Sequence, residues 1–331
     1  MKYNQLGTTG LKVSNISLGT MTFGAEADKK ESIKMFNICK DSGINLFDCA
    51  NKYANGESEI ILGECISSCR DEVIITTKAG SRVTDEINSL GTSRKHLMLE
   101  LEKSLKRLNT DYIDIYFLHY FDSYTSIEDS MRFLDEAIKQ GKILYSGVSN
   151  WAAWQIMKSI HISKSNLLNK IDCIQPMYSL IKRQAEVEIF PLAQDQQLGV
   201  MTYSPIGSGL LTGKYEEIDK NSSARLYDKK YYNQRYSSET YYDTARKFCK
   251  FAKENDYEPS ALAISWAASN EAVSSSIIGA RNCAQLSPNL ESIKIDMTKE
   301  LRDEISSLSI EPTPANDRLE EIVDEKNKLR F

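Results

Sequence analysis

Four side chains capable of acid–base chemistry stand at or just beyond the ends of apolar runs: Asp48 after INLF, Tyr53 five residues on, Lys78 ending VIITTK and His119 ending YIDIYFLH. A carboxylate, a phenol, an ammonium and an imidazole could together bind, orient and move a proton. Taken alone, each has a structural explanation. A terminal Asp caps the next helix, a strand-end Lys reaches solvent along its alkyl stem, and a His after an apolar run packs as a satisfied ring. Their recurrence after three successive runs asks for a common site, and such a site needs elements that carry the run ends to one place.

The elements follow from period. Short runs rich in β-branched and aromatic residues begin at Ile16 (ISLGTM), Ile44 (INLFDCA), Val73 (VIITTKA), Tyr112 (YIDIYFLH), Ile143 (ILYSGVSN), Asp172 (DCIQPMY), Gly199 (GVMTYSP) and Ser275 (SSIIGA). Stretches with helical spacing separate them. KKESIKMFNICKDSG closes at Gly43, and SRKHLMLELEKSLKRLN opens at Ser93 as an N-cap, with Leu97, Leu101, Leu105 and Leu108 forming one apolar face. Strand then helix, eight times, is the arithmetic of an α/β (β/α)8 barrel, whose functional residues sit at the C-terminal ends of the strands. Asp48, Tyr53, Lys78 and His119 then converge on one mouth from strands two, three and four.

The last gap, from Gly199 to Ser275, is more than twice the usual strand-to-strand spacing. It carries a long insertion before the last strand, and its tyrosine-rich part, 211–242, is expected as a loop over the active site or cofactor. The whole chain, 1–331, is expected to be one barrel domain, with 311–331 as a C-terminal tail.

Composition narrows the function. Hydrophobic residues make 41% and charged residues 26%, and Lys+Arg 41 against Asp+Glu 46 leaves a net charge of −5. That balance offers no electrostatic reason to bind nucleic acid or an anionic membrane. No apolar stretch approaches the roughly 20 residues of a membrane helix, and the start lacks a long apolar signal core, so a cytoplasmic protein is expected. Seven scattered cysteines without a Cys-x-x-Cys pair and three histidines with no helical pairing give no expectation of a metal. Two rival chemistries fail on the residues. GSGLLTGKY ends like a phosphate-binding loop, but Gly207 and Gly213 are one residue too far apart and Tyr215 replaces the required Ser or Thr. A glycosidase pair such as Asp48 and Glu57 leaves Lys78 unexplained, because its charge would oppose a raised acid pKa.

The stretches NLFDCANKYANGESEIILG, VIITTKAG, YIDIYFLH, GVSN and YSPIGSGLLTGKY, in this order and spacing, resemble the aldo-keto reductase family from about Tyr3 to Ile293. The nearest branch includes the potassium-channel β subunits and bacterial reductases. The resemblance implies a barrel that binds a nicotinamide dinucleotide without a Rossmann domain, and an NADPH-dependent oxidoreductase that reduces an aldehyde or ketone, a keto-sugar among the candidates. It implies Tyr53 as proton donor, with Asp48, Lys78 and His119 completing a tetrad. Hydride at carbon must be matched by a proton at oxygen; Lys78 is expected to lower the phenol pKa, Asp48 to hold Lys78, and His119 to bind the carbonyl oxygen.

The cofactor positions implied begin with Gly19, Thr20, Met21 and Asp48. Ser149, Asn150 and Gln175 match groups on the nicotinamide carboxamide, and Tyr203 matches the aromatic that stacks on the ring. Ser204, Pro205, Ile206, Gly207, Leu210, Lys214 and Arg225 match the pyrophosphate stretch. Gly279, Arg281, Gln285 and Asn289 match the adenosine end, where a guanidinium and a helix start favour the 2′-phosphate and hence NADP(H) over NAD(H). This sequence departs from the family at Ala54, where glycine is usual, at HYFD after His119, at Leu144 and at Pro288. The alternative of the same fold is a slowly turning regulatory subunit that senses NADP(H) redox state. Trp151 and Trp154 are candidates for a contact with another subunit.

Overall fold

In the computed structural model the described residues are 1–215, 226 and 230–318. Arg225, part of the 211–242 stretch and the tail from 319 onward therefore lie outside the described residues. The chain opens with a feature the periodicity did not reveal: strands β1 (Tyr3–Gln5) and β2 (Lys12–Ser14) form an antiparallel hairpin. All eight expected runs then pair as parallel strands: β3 (Ile16–Gly19), β4 (Leu46–Asp48), β5 (Ile74–Ala79), β6 (Ile113–Leu118), β7 (Ile143–Ser149), β8 (Cys173–Gln175), β9 (Gly199–Tyr203) and β10 (Ser275–Ile278). They close in the order β10-β3-β4-β5-β6-β7-β8-β9, with β10 paired to both β9 and β3. The chain is a (β/α)8 barrel.

Beside the hairpin, Leu6 and Val13 are fully buried in one cluster with Leu46, Ile74, Ile115, Phe117, Cys173, Met201 and Ile277. The hairpin thus plugs the N-terminal end of the barrel: Asn4 donates to the Ser274 carbonyl at 3.0 Å, and Asn45 Oδ1 accepts from the Ser14 amide at 2.8 Å. Gly199 makes room for it, since a Cβ there would come within 2.6 Å of Leu6 Cδ1. With one end closed by packed side chains, only the C-terminal mouth can hold a ligand.

Strand alternation sorts the rest. Phe47, Ile75, Tyr116, Leu118, Val148, Ile174 and Val200 face outward into the larger core against the helices, while the alternate residues point inward. Ser93 caps its helix by accepting from the His96 amide, and Leu97, Leu101, Leu105 and Leu108 on it are buried, as their spacing requires. Asn109 ends that helix in a left-handed conformation.

Two expectations need correction. The 211–242 stretch is not loop throughout: Lys230–Arg235 is helical and Glu239 opens a 16-residue helix to Glu254, whose buried face (Ala245, Phe248, Ala252) supplies the period that the tyrosines obscured. Trp151 is 5% exposed, packed edge-on to Phe121, and precedes the helix Ala153–Ser165, so only Trp154, 60% exposed, remains available to a partner.

Candidate active site

The inward parity of each strand places one side chain at the C-terminal mouth: Gly19 from β3, Asp48 from β4, Lys78 from β5, His119 after β6, Ser149 from β7, Gln175 from β8, Tyr203 from β9 and Gly279 after β10. Residues whose sequence separation exceeds 200 meet there for no reason other than a period of two and barrel closure. They surround a cleft of about 620 Å³ that lies within the range of cofactor sites.

At its floor Lys78 is fully buried, and its Nζ donates to Asp48 Oδ1 and Oδ2, both at 2.7 Å, and to the Cys49 carbonyl at 2.6 Å. Asp48 Oδ1 also accepts from Thr76 Oγ1 at 2.6 Å and Gln175 Nε2 at 2.8 Å. A buried charge pair persists only when its remaining valences are met in this way. Tyr53 follows on a tight turn above the pair, its ring centroid 5.3 Å from Lys78 Nζ and 6.1 Å from the His119 ring in an edge-on arrangement. The turn is unusual: Ala54 (φ 47°) and Asn55 (φ 54°) are both left-handed, which explains the glycine usual at the first of these positions.

The electrostatics differ from the expectation in one respect. The Tyr53 phenol lies well above its ordinary pKa, first because burial disfavours the phenolate and second because Asp48 repels it. The Lys78 charge, paired with Asp48, does not offset these two causes, and its three donors are directed at Asp48 and the Cys49 carbonyl. His119 is driven down to about 3 by burial and then by the Lys78 charge, so the ring is neutral. Its Nδ1 lies 3.2 Å from Ser81 Oγ. Cys49 alternates away from the cleft, 3.2 Å from Ser58 Oγ, with burial pushing its thiol up to about 12, a poor state for a nucleophile.

Most of the expected cofactor positions line the cleft: Gly19, Met21, Asp48, Ser149, Asn150, Gln175, Tyr203, Ser204, Pro205, Ile206, Lys214, Gly279, Arg281, Gln285 and Asn289. Tyr203 Oη donates to Asn150 Oδ1 at 2.6 Å, and Asn150 Nδ2 donates to the His119 carbonyl at 3.0 Å, tying three strand ends together. Thr20, Gly207 and Leu210 do not line it. Thr20 Oγ1 is spent on the Asp48 carbonyl (3.1 Å) and Ser58 Oγ (2.9 Å), Leu210 is 2% exposed in the core, and Gly207 is packed beneath Ile181. Arg281 stands just before the helix Cys283–Leu290, capped by Asn282, and Pro288 reaches the cleft from its last turn without a donor to offer.

Several lining residues have no counterpart among the positions expected from sequence, Lys52, Ser81, Tyr120 and Glu258, while Tyr231, Tyr232 and Arg235 come from the 211–242 stretch expected over the site. Tyr120 stacks on His119 at 4.6 Å between centroids. Tyr120 and Ser81 follow strand ends and could have been found by extending each run past its terminus. Tyr231, Tyr232 and Arg235 come from the helix Lys230–Arg235, within the tyrosine-rich stretch whose length points to a place over the site. Among the described residues no cluster of three or more His, Cys, Asp or Glu could hold a metal, and no helix is long and apolar enough to cross a membrane.

The donor set can be tested against a nicotinamide dinucleotide. The lining offers a hydroxyl and two amides (Ser149, Asn150, Gln175), the Tyr203 ring, and the cations Lys214 and Arg281. A Cβ at Gly279 would enter open cleft, meeting nothing nearer than the Gly19 carbonyl at 3.9 Å, so the backbone there is bare to a large ligand. These residues fit such a group. The comparisons agree in family. The model of the Aldo/keto reductase family matches residues 15–310. The chain is 36% identical over 326 residues to a probable voltage-gated potassium channel subunit beta of Oryza sativa subsp. japonica, covering 93% of this chain and 96% of that protein. It is 31% identical over 312 residues to the uncharacterized oxidoreductase YrpG of Bacillus subtilis (strain 168), covering 91% and 94%. On its barrel and on these matches, the chain belongs to the aldo/keto reductase family.

Proposed function

We propose that the protein is an NADPH-dependent reductase of aldehydes or ketones, and the observation that carries this reading is the convergence of Tyr53 and His119 over the buried Asp48–Lys78 pair. NADPH, when bound, supplies the hydride. Ser149, Asn150 and Gln175 would hold its carboxamide, Tyr203 its ring face, and Lys214 with Arg281 its phosphates. The remaining work falls to this chain. With Ser81 donating to Nδ1, His119 keeps Nε2–H for the carbonyl oxygen, and its low pKa ensures that a neutral donor orients the substrate. Tyr53 gives the proton. Its raised pKa suits that direction, because the phenol stays protonated until an alkoxide, a far stronger base, develops against it. Lys78 then stabilises the phenolate left behind, at an ordinary Coulombic distance and without a direct hydrogen bond.

A second reading is favoured by the names of the relatives at 36% identity, which are channel β subunits. On that reading the same cleft binds NADP(H) and turns over slowly to report redox state. A screen of carbonyl compounds, with loss of NADPH absorbance followed, separates the two. Turnover of a simple aldehyde in the range of ordinary enzymes, roughly 1 s⁻¹ or more, supports the reductase. Tight NADPH binding with no turnover of any compound would leave the sensor.

A further inference from the structure

The substrate end of the cleft carries two cations that the reduction itself does not use. Lys52 precedes Tyr53, and Arg235 reaches in from the last turn of the helix Lys230–Arg235. Neither pairs with a carboxylate among the described residues. The two acidic residues of the lining are elsewhere engaged or placed: Asp48 is held by Lys78, Thr76 and Gln175, and Glu258 stands at the N-cap of the helix Pro259–Ala268, which packs on the phosphate-end helix Cys283–Leu290. Arg235 lies over the Tyr232 ring at 5.6 Å, and its charge is felt by Tyr120 and Tyr203. Tyr120 is stacked on His119, and Tyr203 is bonded to Asn150, so Arg235 stands near the groups of the reacting end.

An arginine over an aromatic face, with no carboxylate partner, is a recognition group for an oxyanion. We infer that the cleft selects carbonyl compounds that carry an anionic group, a carboxylate or a phosphate, with Arg235 as the principal counter-ion, Lys52 as the second, and Tyr120, Tyr231 and Tyr232 as the walls between. This deepens the reductase reading and rests on it. The anion would be bound at the mouth while the carbonyl reaches Tyr53 and His119 below, so the charge contributes to binding and alignment without entering the chemistry.

The test pairs para-carboxybenzaldehyde with para-nitrobenzaldehyde, a neutral compound of nearly the same shape, in the full chain with NADPH. The ratio of their kcat/KM values, followed across variants, cancels their different intrinsic reactivity. Arg235→Met should lower the carboxylate-to-nitro ratio about tenfold to a hundredfold, the worth of a charge-assisted contact, and Lys52→Met should lower it less. Arg235→Glu should lower it further, Arg235→Lys should restore most of it, and rising ionic strength should erode it in wild type and much less in Arg235→Met. Calorimetric binding of the two alcohol products, para-hydroxymethylbenzoate and para-nitrobenzyl alcohol, gives a readout that needs no turnover. An unchanged ratio in Arg235→Met and Arg235→Glu, with the nitro compound still reduced, overturns the anion site and leaves the reductase. Charge-dependent product binding with no reduction of either aldehyde overturns the reductase and leaves the anion site. Equal affinities of both products in wild type and variants overturn the inference whatever the turnover.

Discussion

Lys78 Nζ lies 2.7 Å from both carboxylate oxygens of Asp48, and its third donor meets the Cys49 carbonyl at 2.6 Å. All three ammonium hydrogens are therefore committed below Tyr53, which makes Lys78 a charge held near the phenol and not a hydrogen-bonded relay. If Tyr53 is the acid, Tyr53→Phe should lower kcat by at least about 10² with NADPH affinity close to wild type. Lys78→Met should do comparable damage, since the phenolate would form with no cation near it. The double variant should be little worse than either single one, because the two act as a unit. Single-turnover reduction, with bound NADPH followed by fluorescence, measures this; wild-type rates in Tyr53→Phe would move the proton source elsewhere.

Arg281, at the start of the helix Cys283–Leu290, tests the preference between cofactors. Arg281→Ala should weaken NADPH about tenfold to a hundredfold, roughly 1.5 to 3 kcal/mol, and leave NADH nearly unchanged. Fluorescence titration of both cofactors is sufficient. Equal losses would place the guanidinium on a part of the dinucleotide common to both.

His119 links stability to acid. Its folded pKa is lowered to about 3, well below the ordinary histidine value of about 6.5. Below about pH 6.5 the unfolded chain takes up a proton that the folded chain refuses, so stability falls with pH, by up to about 1.4 kcal/mol per unit, until about pH 3. Above about pH 6.5 the residue contributes no slope. Urea unfolding at about pH 7 and about pH 5 should show wild type losing about 2 kcal/mol more than His119→Gln. An equal loss in both would mean that the ring is protonated in the fold.

Ala54, left-handed at φ 47°, carries a Cβ where glycine would be free of strain. Ala54→Gly should relieve about 1 to 2 kcal/mol of strain against roughly 0.5 to 1 kcal/mol of added chain entropy, for a net gain of up to about 1.5 kcal/mol. The denaturant midpoint should rise with the m-value unchanged. A lower midpoint would show that the Cβ packs better than the backbone suffers.

The barrel and the floor of its mouth were legible before any coordinates. Eight apolar runs separated by helical stretches point to the barrel and put Asp48, Lys78 and His119 at strand ends, while Ser149, Gln175 and Tyr203 enter only with the family resemblance. Polar groups that end such runs can be read directly because alternation and strand ends are properties of neighbouring residues. Whatever depends on atoms distant in the chain had to wait for the folded arrangement. The upward displacement of the Tyr53 pKa sums burial by many elements with the charge of Asp48, and a count of nearby cations could not give its sign. The hairpin that closes the lower end became visible only through its contacts with Leu46, Ile74 and Cys173, because three-residue strands carry too little period. Lys52 stood beside Tyr53 in the sequence from the start. Arg235, on the helix Lys230–Arg235 within the insertion and far from Lys52 in sequence, lines the same cleft only through the tertiary fold.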